Sequence, residues 1–570
     1  MSEEKNYIHY LEHCKVKKNI ILLESQHGKT LGGNIAAIAK ELATSKQYRG
    51  HKIFLSCKEE QTEEMKQLLV KIGAKKIRPL ATGSGKYFKI LATAKYLIND
   101  NTFVLDFIKR PEQIYLNTWH GTPLKTLGRQ IKDDYGMIGN AQRNFLCADY
   151  LLCPNEFTMQ CLTRDYMLEH IGNTRLLLTG YPRNTVFLEK EKGEQIRKAC
   201  GMDGMQVFAY LPTWRGTTGQ VENEEQNEKL KEYFLELDDA LTERQRVYVK
   251  LHPMNAKGMD FSGLKHICPF PKEYETYEFL NATDGLITDY SSVFFDYAIT
   301  GKKIILFTYD KEEYTSERGF YFPMEELPFP QVNTVTALAE CINRPKEYDD
   351  TAFVQKYCAY DNVNVTKALC ERVILDRPSE LIEEKELKDN GKPNVLLYAG
   401  PLATNRTTEQ FLELVAGLNT EAYNYTLVYK MDEVRYRQKR LLQLPEGINF
   451  FGFYEAYSLS QEQLEQYMTW RDGKKEPSGE EQDCIRNLAA HEKQRLFHKC
   501  RIDYVLDFSG SNDETLLVLS EFPMTRIKMK QMAPPINIQL TGVLPDNRVE
   551  VEDAKQLEQL LQSEWNNNKK

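Results

Sequence analysis

Long apolar runs are missing from this chain of 570 residues. Nothing approaches the ~18 consecutive apolar residues of a membrane-spanning helix, which leaves only surface association with a bilayer. The opening MSEEKNYIHYLEHCKVKKN is charged and has no signal-peptide pattern. A basic excess is missing as well: 74 Lys and Arg stand against 82 Asp and Glu, a formal net charge of −8, which argues against a nucleic-acid partner. The 12 cysteines form no CxxC pair and no Cys/His metal spacing, so they read as reduced, small apolar residues of a cytosolic protein. No GxxxxGK[ST] is present, which excludes a P-loop ATPase. GKTLGG (28–33) lies between a strand and a helix but lacks the GxGxxG order, and no DxD-like pair sits at a strand end. The latter weakens a metal-dependent sugar transferase of the single-lobe type. No repeat of fixed short period occurs.

What is present is an alternation of apolar β-branched runs with helix-like periodic segments. NIILLES (19–25), HKIFLSC, TFVLDF and QIYLNTW read as strands; GNIAAIAKELATS (33–45), TEEMKQLLVKIGA and FKILATAKYLIND read as helices. Such βαβα order predicts a parallel sheet covered by helices on both faces. The pattern resumes after LLLTGYPRN (176–184) with QVFAYLPTW, RVYVKLHP, HICPF, GLITDY and KKIILFTY as strands and SSVFFDYAITG as a helix. Two Rossmann-like lobes, 1–184 and 185–378, are therefore expected to face a cleft. A charged stretch within 376–393 reads as a linker, placed at 379–392. A third α/β unit, 393–570, follows with NVLLYAG, YNYTLVY, INFFGF and IDYVLDF as strands and RDGKKEPSGEEQD (471–483) as a polar loop.

Ligands on open parallel sheets bind beyond the carboxyl ends of strands, and four polar motifs stand at such ends. In NTWHGTPLKTLG (117–128), Gly121 allows an unusual backbone and Pro123 fixes the next turn. His120 is thereby aimed into the cleft as a proton acceptor, or caps the following helix. In VYVKLHP (247–253), His252 follows a strand directly. It serves acid–base or phosphate-binding chemistry rather than zinc, or bonds the strand end. In LITDYSSVFFDYAITG (286–301) a strand ends at Asp289, and Ser291 and Ser292 open a helix, a place suited to a phosphate or to a simple N-cap. In FTYDKEEYTSERGFYF (307–322), Arg318 offers paired hydrogen bonds to a phosphate, and Asp310 and Glu313 suit ribose or polyol hydroxyls; a solvated charged loop is the plainer alternative. Arg183 in TGYPRN, Arg215 in YLPTWRG and Lys125 fit a phosphate-handling cleft.

Together these pieces resemble the CDP-glycerol glycerophosphotransferase family, the teichoic-acid polymerases and primases. ESQHGKTLGGN, YFKILATAKYLI, NTWHGTPLKTLG, GYPRN, YLPTWR, KLHP, DYSSVFFDYA and YDKEEYTSERGFYF occur in the family's order over roughly residues 19–325, with a looser tail to about 375. The resemblance implies a two-lobed GT-B fold and peripheral attachment to the cytoplasmic face of the cell membrane. It implies CDP-glycerol, or in some branches CDP-ribitol, as donor, and as acceptor a saccharide linked to polyprenyl diphosphate. It marks His120 and His252 as the active-site histidines and places the DYSS serines and the YDKEEYTSERG loop at the donor. No cofactor is required, and a divalent metal is compatible but not demanded. Departures from the family's usual residues are Thr185, Lys303 and LPFP at 327–330, which bear on the choice of donor. The rival readings are a GT-B glycosyltransferase using a nucleotide sugar and a non-catalytic polymer-binding scaffold. The segment after His120, LKTLGRQIKDDYGMIGNAQRNFL, mixes basic and apolar residues and suits either lipid headgroups or an ordinary surface helix and loop. Beyond residue 392 the likeness ends. NVLLYAGPLATNRTTEQFLELVAGL faintly resembles the opening of another glycosyltransferase lobe, which leaves a docking module, an acceptor platform or a degenerate transferase.

Overall fold

The computed structural model describes residues 5–131, 138–213, 224–251, 259–317, 319–434, 438–473, 477–528, 544 and 548–568. Three sheets carry the chain. The first contains β1 (Lys17–Glu24), β2 (Lys52–Cys57), β3 (Arg78–Ala81), β4 (Ala94–Asn99), β5 (Ile114–Asn117), β6 (Tyr150–Cys153) and β7 (Arg175–Leu178). The second contains β8 (Gln206–Leu211), β9 (Gln245–Val249), β10 (Ile267–Pro269), β11 (Gly285–Thr288), β12 (Lys303–Phe307) and β13 (Gln331–Val332). β14 (Glu383–Glu386) returns to the first sheet, and β15 (Asn394–Tyr398), β16 (Asn424–Lys430), β17 (Ile448–Phe453), β18 (Tyr504–Asp507), β19 (Met524–Lys528) and β20 (Arg548–Glu550) form the third.

The orders are β14-β7-β6-β5-β4-β1-β2-β3, β10-β9-β8-β11-β12-β13 and β17-β16-β15-β18-β19-β20. All pairs are parallel except β14 on β7. Each sheet thus reverses its winding once, between β1 and β4, β8 and β11, and β15 and β18. That reversal opens a crevice at the carboxyl ends of the two central strands. The strands there are apolar on both faces because helices cover both: Ile21 to Leu23 of β1 and Leu286 and Ile287 of β11 are fully buried.

Several local expectations need correction. FKILATAKYLIND is not one helix: Ser84 caps a helix at Gly85–Thr93, which runs straight into β4 with no turn residue between them. TFVLDF forms no strand, and only Thr102, Phe103 and Phe107 in it are buried. Phe103 and Phe107 pack on Tyr115, while the Arg143 guanidinium donates to the carbonyls of Val104 and Phe107 at 2.9 and 2.7 Å. A side chain therefore satisfies the backbone that a ladder would otherwise have to satisfy. The expected linker contains β14, whose acidic residues suit an edge strand, and Glu384 pairs with Arg372 and Arg175. Helix Val365–Leu375, in the stretch assigned to the second lobe, packs with Leu369 and Val373 in the first lobe's core beside Ile35, Ile38 and Leu42. The described residues of the 471–483 stretch are mostly helical, with Gly479–Phe497 opened by a Ser478/Glu481 capping box.

The third unit is fused to the first lobe rather than tethered to it. Helix Ile138–Cys147, which takes in the end of the segment considered for lipid contact, is buried almost throughout. A Cβ on Gly139 would lie 2.6 Å from the Gly452 carbonyl. Gln142 donates to the Phe450 carbonyl at 3.1 Å. Arg495 donates to the Leu105 carbonyl at 3.1 Å and holds Glu492 at 2.6 Å. This helix has no face left for headgroups; residues 132–137 lie outside the described ones. Trp119, Phe145 and Tyr166 belong to the same continuous apolar cluster as Val395, Leu427, Phe450 and Val505 of the third unit.

Candidate active site

His120 stands just after β5, beside the first sheet's crevice. The unusual backbone lies one residue earlier than the glycine suggests: Trp119 has φ 49°, a conformation rarely adopted by a bulky residue. Three bonds hold it there. Trp119 N–H donates to Asn117 Oδ1 at 2.9 Å, and its carbonyl accepts from Thr118 Oγ1 at 3.0 Å and Asn34 Nδ2 at 3.3 Å. Gly121 serves close approach instead, since a Cβ there would sit 3.0 Å from Ser292 Oγ in the second lobe.

The His120 ring lies 3.9 Å from the Trp119 ring, centroid to centroid. Its Nδ1 is 3.0 Å from the carbonyl oxygen of Asp100. A carbonyl only accepts, so Nδ1 carries the proton and neutral Nε2 keeps a lone pair. The ring is open to solvent at its surface, yet protein surrounds it. That enclosure lowers its pKa to about 4, with Arg183 and His27 contributing and the Asp100 carbonyl opposing.

Asp100, not singled out from the sequence, fixes this arrangement. Its carboxylate accepts from Ser25 Oγ at 2.9 Å and Gln26 N–H at 2.8 Å. Burial raises its pKa to about 6 against those two bonds. Nearby Glu24, buried and accepting from Tyr87 OH at 3.0 Å, is raised by burial to about 7.

Arg183 was expected on a phosphate and is placed otherwise. It is 8% exposed. Nη1 donates to the His120 carbonyl at 2.8 Å and Nη2 to Asp296 Oδ2 at 2.7 Å, while the guanidinium lies over the rings of Tyr181 and Tyr277. Asp296 also accepts from Tyr277 OH at 2.7 Å. Arg183 therefore ties the His120 turn to the helix after Ser292, with its charge neutralised by a buried carboxylate. That helix, Val293–Tyr297, has only five residues, so its dipole is weaker than the sequence suggests. Ser291 and Ser292 are half-buried at its start. Asp289 is fully buried and accepts from Thr213 N–H, Thr213 Oγ1 and Tyr290 N–H, which fixes Thr213 just after β8. Asp310 accepts from Tyr290 OH at 3.1 Å, and Glu313 is exposed on helix Lys311–Glu317. Lys125 bridges to Phe320 across the cleft and sits over the Tyr314 ring at 5.1 Å. There Thr126 N–H donates to the Gly319 carbonyl at 3.0 Å and Tyr321 N–H to the Leu124 carbonyl at 3.0 Å. The histidine motif and residues 319–321 are thus neighbours. His252, Arg215 and Arg318 lie outside the described residues.

The glycine-rich GKTLGG leads into a helix whose useful residue is the next one: Asn34 joins the Trp119 carbonyl to Arg183 N–H, each at 3.3 Å. Two of the family departures are structural. Thr185 Oγ1 donates to the Pro182 carbonyl at 2.8 Å, and Lys303 Nζ donates to the Cys341 carbonyl at 2.9 Å. Among the described residues no group of three or more His, Cys, Asp or Glu side chains could hold a metal ion, and no helix is long and apolar enough to cross a membrane.

Residues 6–375 match the family described as CDP-Glycerol:Poly(glycerophosphate) glycerophosphotransferase. The chain belongs to that family. Among the relatives of this glycerophosphotransferase is the Teichoic acid glycerol-phosphate transferase of Staphylococcus aureus, 29% identical over 393 residues, covering 62% of this chain and 93% of the relative. The Teichoic acid poly(glycerol phosphate) polymerase of Bacillus spizizenii is 26% identical over 376 residues, covering 63% and 92%. The solved Wall Teichoic Acid Polymerase TagF superposes with a TM-score of 0.54 at 24% identity over 66% of this chain and 93% of that one, which shows a shared fold. The glycerophosphotransferase fold is GT-B-like α/β, and its third unit lies outside the family match.

Proposed function

We propose that this glycerophosphotransferase of teichoic-acid synthesis takes glycerol phosphate from CDP-glycerol and attaches it to a hydroxyl of a lipid-linked acceptor, releasing CMP. The single observation that supports the reading most is the His120 tautomer, with Nδ1–H spent on the Asp100 carbonyl and Nε2 left to accept. In the proposed step the acceptor oxygen bonds to the β-phosphorus, its proton passes to Nε2, and the P–O bond to CMP breaks with its electron pair leaving on CMP. A positioned base of this kind is worth ~100- to 10,000-fold. Ser291 and Ser292, across the cleft from Gly121, are assigned to the donor phosphates, with Arg215, Arg318 and His252 as further candidates. Asp310 and Glu313 are assigned to the donor's hydroxyls. Asp289 and Arg183 are given positioning roles, because both are buried against protein partners. The acceptor places the work at the cytoplasmic face of the cell membrane, reached from the surface. The reading assigns the protein no metal of its own.

The test supplies CDP-glycerol, CDP-ribitol or a UDP-sugar with a lipid-linked acceptor analogue, with and without divalent cation, and identifies both products by mass. CMP release with a mass gain of one glycerol phosphate supports the proposal. Release of a nucleoside diphosphate from a sugar donor replaces it with glycosyl transfer.

A further inference from the structure

The stretch after His120 and the stretch after the donor-side loop meet in a clasp between the two lobes. Thr126 N–H donates to the Gly319 carbonyl and Tyr321 N–H to the Leu124 carbonyl, each at 3.0 Å. Two glycines make room for it. A Cβ on Gly319 would lie 2.8 Å from Thr126 Oγ1, and one on Gly128, at φ 55°, would lie 2.1 Å from the Asp165 carbonyl oxygen.

Tyr321 reaches further into the first lobe than its backbone does. Its ring packs edge-on against Phe157, 5.7 Å between centroids. Its hydroxyl donates to Asp165 Oδ2 at 2.6 Å and accepts from Leu127 N–H at 3.1 Å, so it both gives and takes a hydrogen bond there. Asp165, at the end of helix Glu156–Asp165, is fully buried. Its carboxylate also accepts from Arg164 Nε at 2.7 Å, Arg164 Nη2 at 2.9 Å and Gln130 Nε2 at 3.3 Å. A side chain of the second lobe thus completes a buried carboxylate of the first and seats the stretch that starts at His120. The chain before Gly319 carries Asp310 and Glu313, assigned to the donor's hydroxyls. One hydroxyl therefore stands where the segment of the base joins the segment of the donor.

We propose that Tyr321 is a positioning residue for the transfer: its hydroxyl locks the stretch after His120 against the donor-side loop and holds base and donor in register. This inference rests on His120 being the base and on the donor lying in the second lobe.

The test measures kcat by CMP release and donor affinity by calorimetry, well below the thermal midpoint of each protein, so that folded molecules are compared. Tyr321→Phe keeps the ring and deletes both bonds of the hydroxyl. The loss of a hydrogen bond to a charged group predicts a fall in kcat of about 10- to 100-fold, with donor affinity unchanged. A bond that serves stability alone would lower the midpoint and leave kcat at the parent value. Asp165→Ala removes the partner and should lower kcat in the same way. The double variant should be no slower than the slower single one, since both changes strike one contact. Asp165→Asn keeps an acceptor for the hydroxyl and should restore most of the turnover. A parent kcat in Tyr321→Phe, a fall confined to donor affinity, or a loss in the double variant equal to the product of the single losses overturns the proposal. His120→Ala separates the two claims. If it loses turnover while Tyr321→Phe keeps the parent kcat, only the Tyr321 claim falls; if it turns over at the parent rate, the base assignment falls and takes the Tyr321 claim with it.

Discussion

The Arg183–Asp296 pair offers a test in which stability and activity should part company. Both side chains are nearly excluded from water and lie 2.7 Å apart. Replacing Arg183 with Met leaves Asp296 charged and buried, with Tyr277 OH and Asn184 Nδ2 as its remaining donors. Breaking a buried pair from one side costs about 3–5 kcal/mol, and the Arg183→Met protein should show a clear fall in thermal midpoint. Adding Asp296→Asn removes the stranded charge, so the double variant should recover most of that loss. Activity should not recover with it. The His120 carbonyl keeps no guanidinium in either variant, and the turn that aims the imidazole loses its tie to the second lobe. The assay pairs thermal midpoints of the three proteins with CMP release under saturating donor. A double variant that regains wild-type turnover would refute the idea that Arg183 positions His120. A single variant as stable as the parent would refute the buried pair as a source of stability.

Other expectations follow from the same geometry. Gly139→Ala should loosen the third unit from the first lobe, because the added Cβ meets the Gly452 carbonyl at 2.6 Å; faster amide exchange in helix Ile138–Cys147 and β17 is the readout, and unchanged exchange would contradict the close fit. Glu24 has its pKa raised by burial from 4.5 to about 7, so its contribution to stability is complete below 4.5 and is lost as pH rises through 7. Glu24→Gln should therefore gain up to about 3 kcal/mol relative to the parent at pH 8 and little at pH 4. The base must be neutral to act, so with the His120 pKa lowered to about 4 the acid limb of kcat/KM should lie well below the ordinary histidine value of 6.5; a limb at 6.5 or above would contradict the enclosed ring.

The strand-and-helix alternation made the three α/β units legible, because apolar runs such as IILL and KIILF have no other use than a sheet covered on both faces. What failed were segments whose partner is distant. Nothing local marks the point where Thr93 ends a helix and Ala94 begins a strand, since β1 and β5 impose it from either side. Glu383–Glu386 looks like a solvated linker until β7 offers it an edge. At the site, His120 and Ser292 were legible as polar residues at strand ends, and the residue after His120, Gly121, lies close to Ser292 Oγ. The pairing of Arg183 was not legible, because its partner Asp296 is 113 residues away. Asp100 carried no motif that named it; its value comes from the winding that puts β4 between β1 and β5.

Single-turnover release of CMP by His120→Ala, with donor affinity measured on the same protein by calorimetry, tests the base assignment most directly. The account predicts a fall of ~100- to 10,000-fold in the rate with donor binding unchanged. A variant that releases CMP at the parent rate would contradict it.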